Sequence, residues 1–339
     1  MKQPKVSIII PIYNSGQYLE KCLDTLVRQT LREIEIILVL DCPTDGSDKI
    51  AERYAAQDNR IKIVYNSKNL HTGLSSNVGL EIATGEYIGF VDHDDYSDLY
   101  KYEKLYQKAI DDNLDMVRCC FYIQEGDKIV KSKQLQDFNN VEELKKYLIE
   151  NFLRKTAGFG NNWCWIYRTS MIKKYALKFV DSKITAGQDG LFTLETLLTA
   201  DKIGLIFDYL CYYRMNDQSV SHNKKLSIKN YLSYQSSISL CENILFLLHK
   251  KECDTLYKSA LLEGIPKFLY SAFYNGFRDS FSVGLQGVRL IAKNKTFVKL
   301  FSNLFQCKNL PILFRLKPTI IVFLLLVIIV SLPLSNEPT

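Results

Sequence analysis

At 339 residues, with 47% hydrophobic and 24% charged residues, the chain is long enough for one large domain or two modest ones, and its composition excludes a disordered protein. Its nine cysteines are irregularly spaced and include no Cys-x-x-Cys pair, which argues against a disulfide framework or a zinc site and for reduced thiols in a cytosolic setting. The net charge of +6 is uneven, because 223–317 hold 15 Lys and Arg against 5 Asp and Glu.

The amino terminus runs straight into an apolar segment at 6–10, so no leader peptide is expected. Apolar runs at 6–10, 34–40, 61–65 and 87–91 alternate with amphipathic stretches at 18–29, 47–56 and 74–83. That alternation predicts a mostly parallel sheet covered by helices, and ligands of such sheets bind beyond the carboxyl ends of the strands. Polar clusters fall at each of those ends, at 11–14, 41–48, 66–73 and 92–95, and their convergence points to a nucleotide site. The fourth run ends in Asp92-His93-Asp94-Asp95. Carboxylates two residues apart at a strand end offer the hard oxygen ligands that Mg²⁺ or Mn²⁺ takes beside phosphates, although an acidic turn with no ligand fits the same residues.

A helix is predicted at 99–113, for which Asp95 and Asp98 are possible N-caps, and a further strand at 115–122. The aromatic, Gly- and Asn-rich stretch 159–168 predicts a substrate-facing loop; its Trp163, Trp165 and Tyr167 suit stacking on a substrate or core packing alike. A helix over 187–200 opens on Gln188-Asp189, and helical periodicity dominates from 226 onward. Seven Lys and Arg, from Arg289 to Lys317, lead into the apolar stretch 319–332. About 16 helical residues span roughly 24 Å against a hydrocarbon core of roughly 30 Å, so a thin-membrane span, a tilted interfacial insertion and a buried core helix all fit. The basic flank favours an anionic cytoplasmic leaflet, so a contact with the inner face of the plasma membrane is expected. No nucleic-acid motif accompanies the basic patch, and no nucleic-acid partner is expected.

Residues 5–95 closely resemble the family 2 glycosyltransferases of the GT-A fold. The likeness is carried in order by 6–14 (VSIIIPIYN), 41–47 (DCPTDGS), Asn69 and Gly73, Asn77-Val78-Gly79, Ala83-Thr84-Gly85-Glu86 and the Asp-x-Asp of Asp92 and Asp94. A weaker likeness continues through Trp163 to Arg168, Gln188-Asp189, Tyr212-Tyr213-Arg214 and Ser219-Val220-Ser221. It implies a Rossmann-like, mostly parallel α/β sheet flanked by helices; outside the resemblance, periodicity and composition add a helical carboxyl-terminal region with an apolar end. The corresponding segments are 1–105 for the nucleotide sugar, 106–222 for the acceptor and catalysis, a basic helical region at 223–315 and a membrane-associating segment at 316–335.

By the same resemblance Asp41 holds the base of a nucleotide diphosphate sugar, usually a uridine one. Pro11, Tyr13, Asn14, Asn69, Asn77 and Asp92 line the donor, with Arg214 and Ser219 at its diphosphate. Asp94, with Asp92 and Asp95, holds Mn²⁺ or Mg²⁺; His222 is either a further group at that site or a solvated side chain. Asp189 is the general base that inverts the anomeric centre, where the local pattern alone suggests a helix N-cap. Gln188, Trp163 and Trp165 face the acceptor, a glycan or lipid-linked glycan in bacterial surface-polysaccharide synthesis. The chain departs from the pattern at Leu40, Ser75-Ser76, Leu99 and Trp165, where relatives often carry an acid or amide, an arginine, a proline and a lysine. The alternative from another class is a non-catalytic glycan-assembly subunit that keeps the fold.

Overall fold

The computed structural model describes residues 3–132, 138, 140–154, 161–185, 187–215, 227–253, 255–257, 259–261 and 263–264. The chain forms two compact units, one comprising Met1–Phe152, Gly158–Lys183 and Gly187–Lys224, the other Leu153–Ala157, Ile184–Ala186 and Lys225–Thr339.

The first unit is built on a nine-stranded sheet. Its opening half alternates β1 (Val6–Ile12), α1 (Leu19–Val27), β2 (Ile34–Leu40), α2 (Ser47–Gln57), β3 (Ile61–Tyr65), α3 (His71–Ile82) and β4 (Tyr87–Phe90). Every residue of β1, β2 and β4 is buried, as expected of parallel strands covered on both faces. α1 turns Leu19, Cys22, Leu23 and Leu26 inward, spaced three and four apart on one face. α3 lies hard against β1, since a Cβ on Gly79 would meet Ile9 Cγ2 at 2.4 Å.

The second half comprises β5 (Tyr96–Ser97), α4 (Lys101–Asp111), β6 (Met116–Glu125), β7 (Lys128–Lys131), α5 (Val141–Leu153), β8 (Trp165–Arg168), α6 (Thr169–Lys174), α7 (Gln188–Thr199) and β9 (Ile203–Arg214). The strand order is β3-β2-β1-β4-β8-β6-β9-β5, with β7 paired to β6. β1, β2, β3 and β4 are mutually parallel, while β8 runs antiparallel between β4 and β6. Because β2 and β4 leave β1 on opposite sides, the strand order reverses at β1, and the crevice beyond the carboxyl ends of β1 and β4 is the expected ligand site of such a sheet.

One expectation is corrected here. The stretch read as a substrate-facing loop is a buried strand over 165–168, because Ile166 and Tyr167 pair with both β4 and β6, Trp165 pairs with β6, and all three are fully buried. In the second unit, α8 (Ser227–Lys250) buries Leu240, Cys241, Ile244 and Leu248. Among the described residues no helix is long and apolar enough to cross a membrane. The apolar segment 316–335, most of the basic region 223–315, Ser219 and His222 lie outside the described residues.

Candidate active site

Three loops at the carboxyl ends of β1, β2 and β3 are tied to one another by side-chain to backbone hydrogen bonds. Asn14 Oδ1 accepts from the Thr44 N–H at 2.8 Å, and Asp45 Oδ2 accepts from the Gly16 N–H at 2.7 Å. Asn14 and Cys42 in the first two loops, and His71 where the third enters α3, hold φ values of +46°, +56° and +62°. Left-handed backbone costs a non-glycine residue energy, so these turns persist because the hydrogen bonds around them over-determine the path. Pro11 is buried at the end of β1, and Tyr13 beyond it is 45% exposed.

Asp41 is 2% exposed, and its Oδ1 accepts from Asn66 Nδ2 at 2.8 Å and from the Leu70 N–H at 2.7 Å. Its Oδ2 takes no hydrogen bond among the described residues, leaving an acceptor for a ring N–H. Asn66, which the sequence marks only as part of a polar cluster, also donates to Ser75 Oγ at 2.9 Å and is the group that orients Asp41. Asn69 caps the next turn by accepting from the His71 N–H at 3.1 Å. Asn77 spends its whole amide on one partner: Nδ2 donates to the Phe179 carbonyl at 2.9 Å and Oδ1 accepts from the Phe179 N–H at 2.8 Å. Its observed work is to clamp α3 to the segment before α7.

That segment brings α7 to the crevice. The Gly73 N–H donates to Ser182 Oγ at 2.9 Å, and a Cβ on Gly73 would meet the Val180 carbonyl at 2.5 Å and Gln188 Cγ at 3.1 Å, so glycine is needed for the approach. Asp189 sits in the first turn of α7 behind Gly187, whose φ is +68°. Its carboxylate is close enough to Asp92, 97 positions earlier, to push the Asp92 pKa upward.

Beyond β4 the acid loop is short of partners. Burial, then the neighbouring Asp94 and Asp189 carboxylates, raise the Asp92 pKa from 3.8 to about 7. Burial likewise raises Asp189, against hydrogen bonds from backbone N–H groups at the helix start. Asp95 is 4% exposed; Oδ1 accepts from the Arg214 N–H at 2.8 Å, while Oδ2 is buried without a partner, as is His93 Nδ1. Carboxylates that repel one another, with orphaned buried polar atoms beside them, fit a hard divalent cation with oxygen ligands from Asp92 and Asp94.

Arg214 closes the loop from β9. Its Nε donates to the Asp94 carbonyl and its Nη2 to the Tyr18 carbonyl at 3.0 Å, with the guanidinium over the Tyr18 and Tyr96 rings at 4.9 and 5.4 Å. Nη1 has no hydrogen-bond partner among the described residues, which suits a phosphate. Tyr18 and Tyr96 carry no motif signal; only their place beneath Arg214 marks them.

The aromatic acceptor residues are placed differently from the expectation. Trp165 is fully buried in β8 beneath the Arg118 guanidinium, so no sugar reaches its ring. Trp163 is 6% exposed, stacked on Tyr213 with centroids 5.8 Å apart and edge-on to Phe121.

Fold and crevice together are those of a doubly wound α/β protein with its ligand site where the strand order reverses. Residues 7–176 match the glycosyl transferase family 2. The uncharacterized glycosyltransferase EpsJ of Bacillus subtilis is 36% identical over 223 residues, 64% of this chain and 63% of that protein. The putative glycosyltransferase EpsH of the same organism is 32% identical over 261 residues, 75% of this chain and 74% of its own length. Among solved structures, S. aureus TarS 1–349 in complex with UDP-GlcNAc superposes with a TM-score of 0.58 at 21% identity, covering 89% of this chain and 81% of that one. The chain belongs to glycosyl transferase family 2 and has the GT-A fold.

Proposed function

We propose that this chain is an inverting glycosyltransferase that moves a hexose or N-acetylhexosamine from a nucleotide diphosphate sugar, of the uridine type, to a glycan or lipid-linked glycan acceptor of a bacterial surface polysaccharide. The reading rests on one observation: Asp92, Asp94 and Asp189, from two separate elements, meet at the point where strand order reverses, with Arg214 laid across the loop. The base enters against Asp41, and the diphosphate lies between Arg214 and the acid loop. Asp189 accepts the acceptor hydroxyl proton while that oxygen attacks the anomeric carbon; the bond to the diphosphate breaks with its electron pair, and the configuration inverts. Its raised pKa makes the Asp189 carboxylate a stronger proton acceptor than a free aspartate. Asp94 and Asp92 would hold Mn²⁺ or Mg²⁺, which would supply countercharge to the diphosphate. The basic, apolar carboxyl-terminal stretch supports a place on the cytoplasmic face of the inner membrane.

The test is a panel of uridine and other nucleotide diphosphate sugars with Mn²⁺, following nucleotide diphosphate release for the parent protein and Asp189→Asn. Release from one donor that vanishes in the variant and with chelator supports the proposal. Absence of turnover together with absence of calorimetric uridine diphosphate binding overturns it in favour of a non-catalytic assembly subunit.

A further inference from the structure

Directly behind the acid loop, at the start of α4, Lys101 is 1% exposed. Lysine is almost never fully buried without a counter-charge, and stranding an ammonium in the interior costs several kcal/mol by order of magnitude. Its Nζ donates to two neutral oxygens, the Trp163 carbonyl at 3.0 Å and Ser97 Oγ at 3.4 Å, and lies 4.9 Å from the Tyr102 ring centroid; no carboxylate forms an ion pair with it among the described residues, although Asp92 is within reach of its charge. Three sulfurs lie close to it as well. Cys119 of β6, Cys164 of the 3-10 turn before β8, and Cys211 of β9 are each at most 2% exposed, and their Sγ atoms all lie within 4.8 Å of one another. Cys119 Sγ and Cys211 Sγ are 3.5 Å apart. Metal–thiolate bonds of about 2.3 Å at a tetrahedral centre place sulfurs about 3.8 Å apart, so the trio has the spacing of a ligand set.

We propose that Cys119, Cys164 and Cys211 form a buried binding site for a thiophilic metal ion, with Zn²⁺ as the probe, and that Lys101 is its outer charge partner. Three thiolates around Zn²⁺ carry one net negative charge, which the ammonium cancels, so the site explains why a lysine is tolerated there. Loading forms three Zn–S bonds and releases one proton to solvent for each of the three thiols that becomes a thiolate. Soft sulfur ligands separate this site from the oxygen-lined crevice, which favours Mg²⁺ or Mn²⁺. No spacing rule reveals it, because its members stand 45 and 47 positions apart on three separate elements.

The full chain, reduced and stripped with chelator, is given Zn²⁺, desalted, and its metal counted by plasma mass spectrometry; Co²⁺ serves as a spectroscopic stand-in. The expected result is about one retained zinc per chain, a sulfur-to-cobalt charge-transfer band, and both features kept in Asp94→Asn. Cys119→Ala and Cys211→Ala lose the band, and Lys101→Met binds about 10–100-fold more weakly, as for loss of an outer-shell partner. A folded parent chain that retains no zinc and shows no thiolate band overturns the proposal even if every cysteine variant misfolds. So does zinc retention that Asp94→Asn abolishes.

Discussion

At the amino ends of the parallel strands Glu35 is enclosed by donors, whereas beyond the carboxyl end of β4 the Asp92, Asp94 and Asp95 carboxylates crowd one another and Asp189 of α7 acts on Asp92. Glu35 Oε1 accepts from Ser7 Oγ at 2.5 Å, the Thr84 N–H at 2.6 Å, Thr84 Oγ1 at 2.8 Å and the Gly85 N–H at 3.2 Å, and Oε2 accepts from Lys62 Nζ at 2.6 Å. Burial pushes the Glu35 pKa up, but donation from Lys62, Ser7 and Thr84 outweighs it and the carboxyl titrates below its ordinary 4.5. At the other end burial and like charge win, and Asp92 rises to about 7. One sheet thus carries a closed acid that holds strands together and an open set of acids that weakens the fold to keep a site ready for a charged ligand.

Substitutions should separate the two ends, and the largest effect belongs to the open one. Asp189→Asn is expected to lower the turnover number by about 10²–10⁴-fold, the usual contribution of a general base, without lowering the thermal midpoint. A variant that keeps more than a tenth of parental turnover removes Asp189 from the chemistry. At the closed end Glu35→Ala should do the reverse. Stranding the donors of Ser7, Thr84 and Gly85 should cost about 3 kcal/mol in denaturant titration, while uridine diphosphate affinity of the folded fraction stays unchanged.

The pH dependences have opposite signs. Glu35 has a depressed folded pKa, so its stabilisation is present above 4.5 and lost as pH falls through the folded value. Asp92 has a raised one, so its contribution is present below 3.8 and lost as pH rises through about 7. Metal-free protein should therefore lose on the order of 1 kcal/mol between pH 5 and 8, allowing for screening at this partly exposed group. Asp92→Asn should flatten that slope, and Mn²⁺ should restore stability to the parent alone; an unchanged slope in the variant refutes the assignment. An effect of similar size is expected from Asn77→Ala, which removes both bonds to Phe179 for about 1–2 kcal/mol, seen as a thermal midpoint lower by several degrees.

Much of the first half was legible before any coordinates. Four apolar runs punctuated by amphipathic stretches specify parallel strands and crossover helices, because a strand buried on both faces has no room for polar side chains. The polar cluster at each strand end was equally legible, since strand direction alone places it at the ligand edge. The second half was harder. β8 passed for a loop because Gly158, Gly160, Asn161 and Asn162 precede it, and its burial depends on pairing with β4 and β6, strands 78 and 49 positions earlier counted from their first residues. Trp165 looked like a sugar platform for the same reason, because an aromatic side chain does not announce whether a sheet will close over it.

The sequence by itself determined the α/β class, the family and the identity of the acids, because local periodicity and ordered short motifs are properties of neighbours along the chain. Only the tertiary structure decided which acids meet. Asp189 reaches Asp92 because glycine at position 73 lets α7 approach α3, Arg214 reaches the acid loop because β9 pairs with β5 and β6, and Asn77 clamps Phe179 from 102 positions away. The same closure gathers three cysteines and a lysine behind that loop. Charge repulsion, hydrogen bonding and burial act through space over a few ångströms, and no pattern along the chain records a distance that folding alone creates.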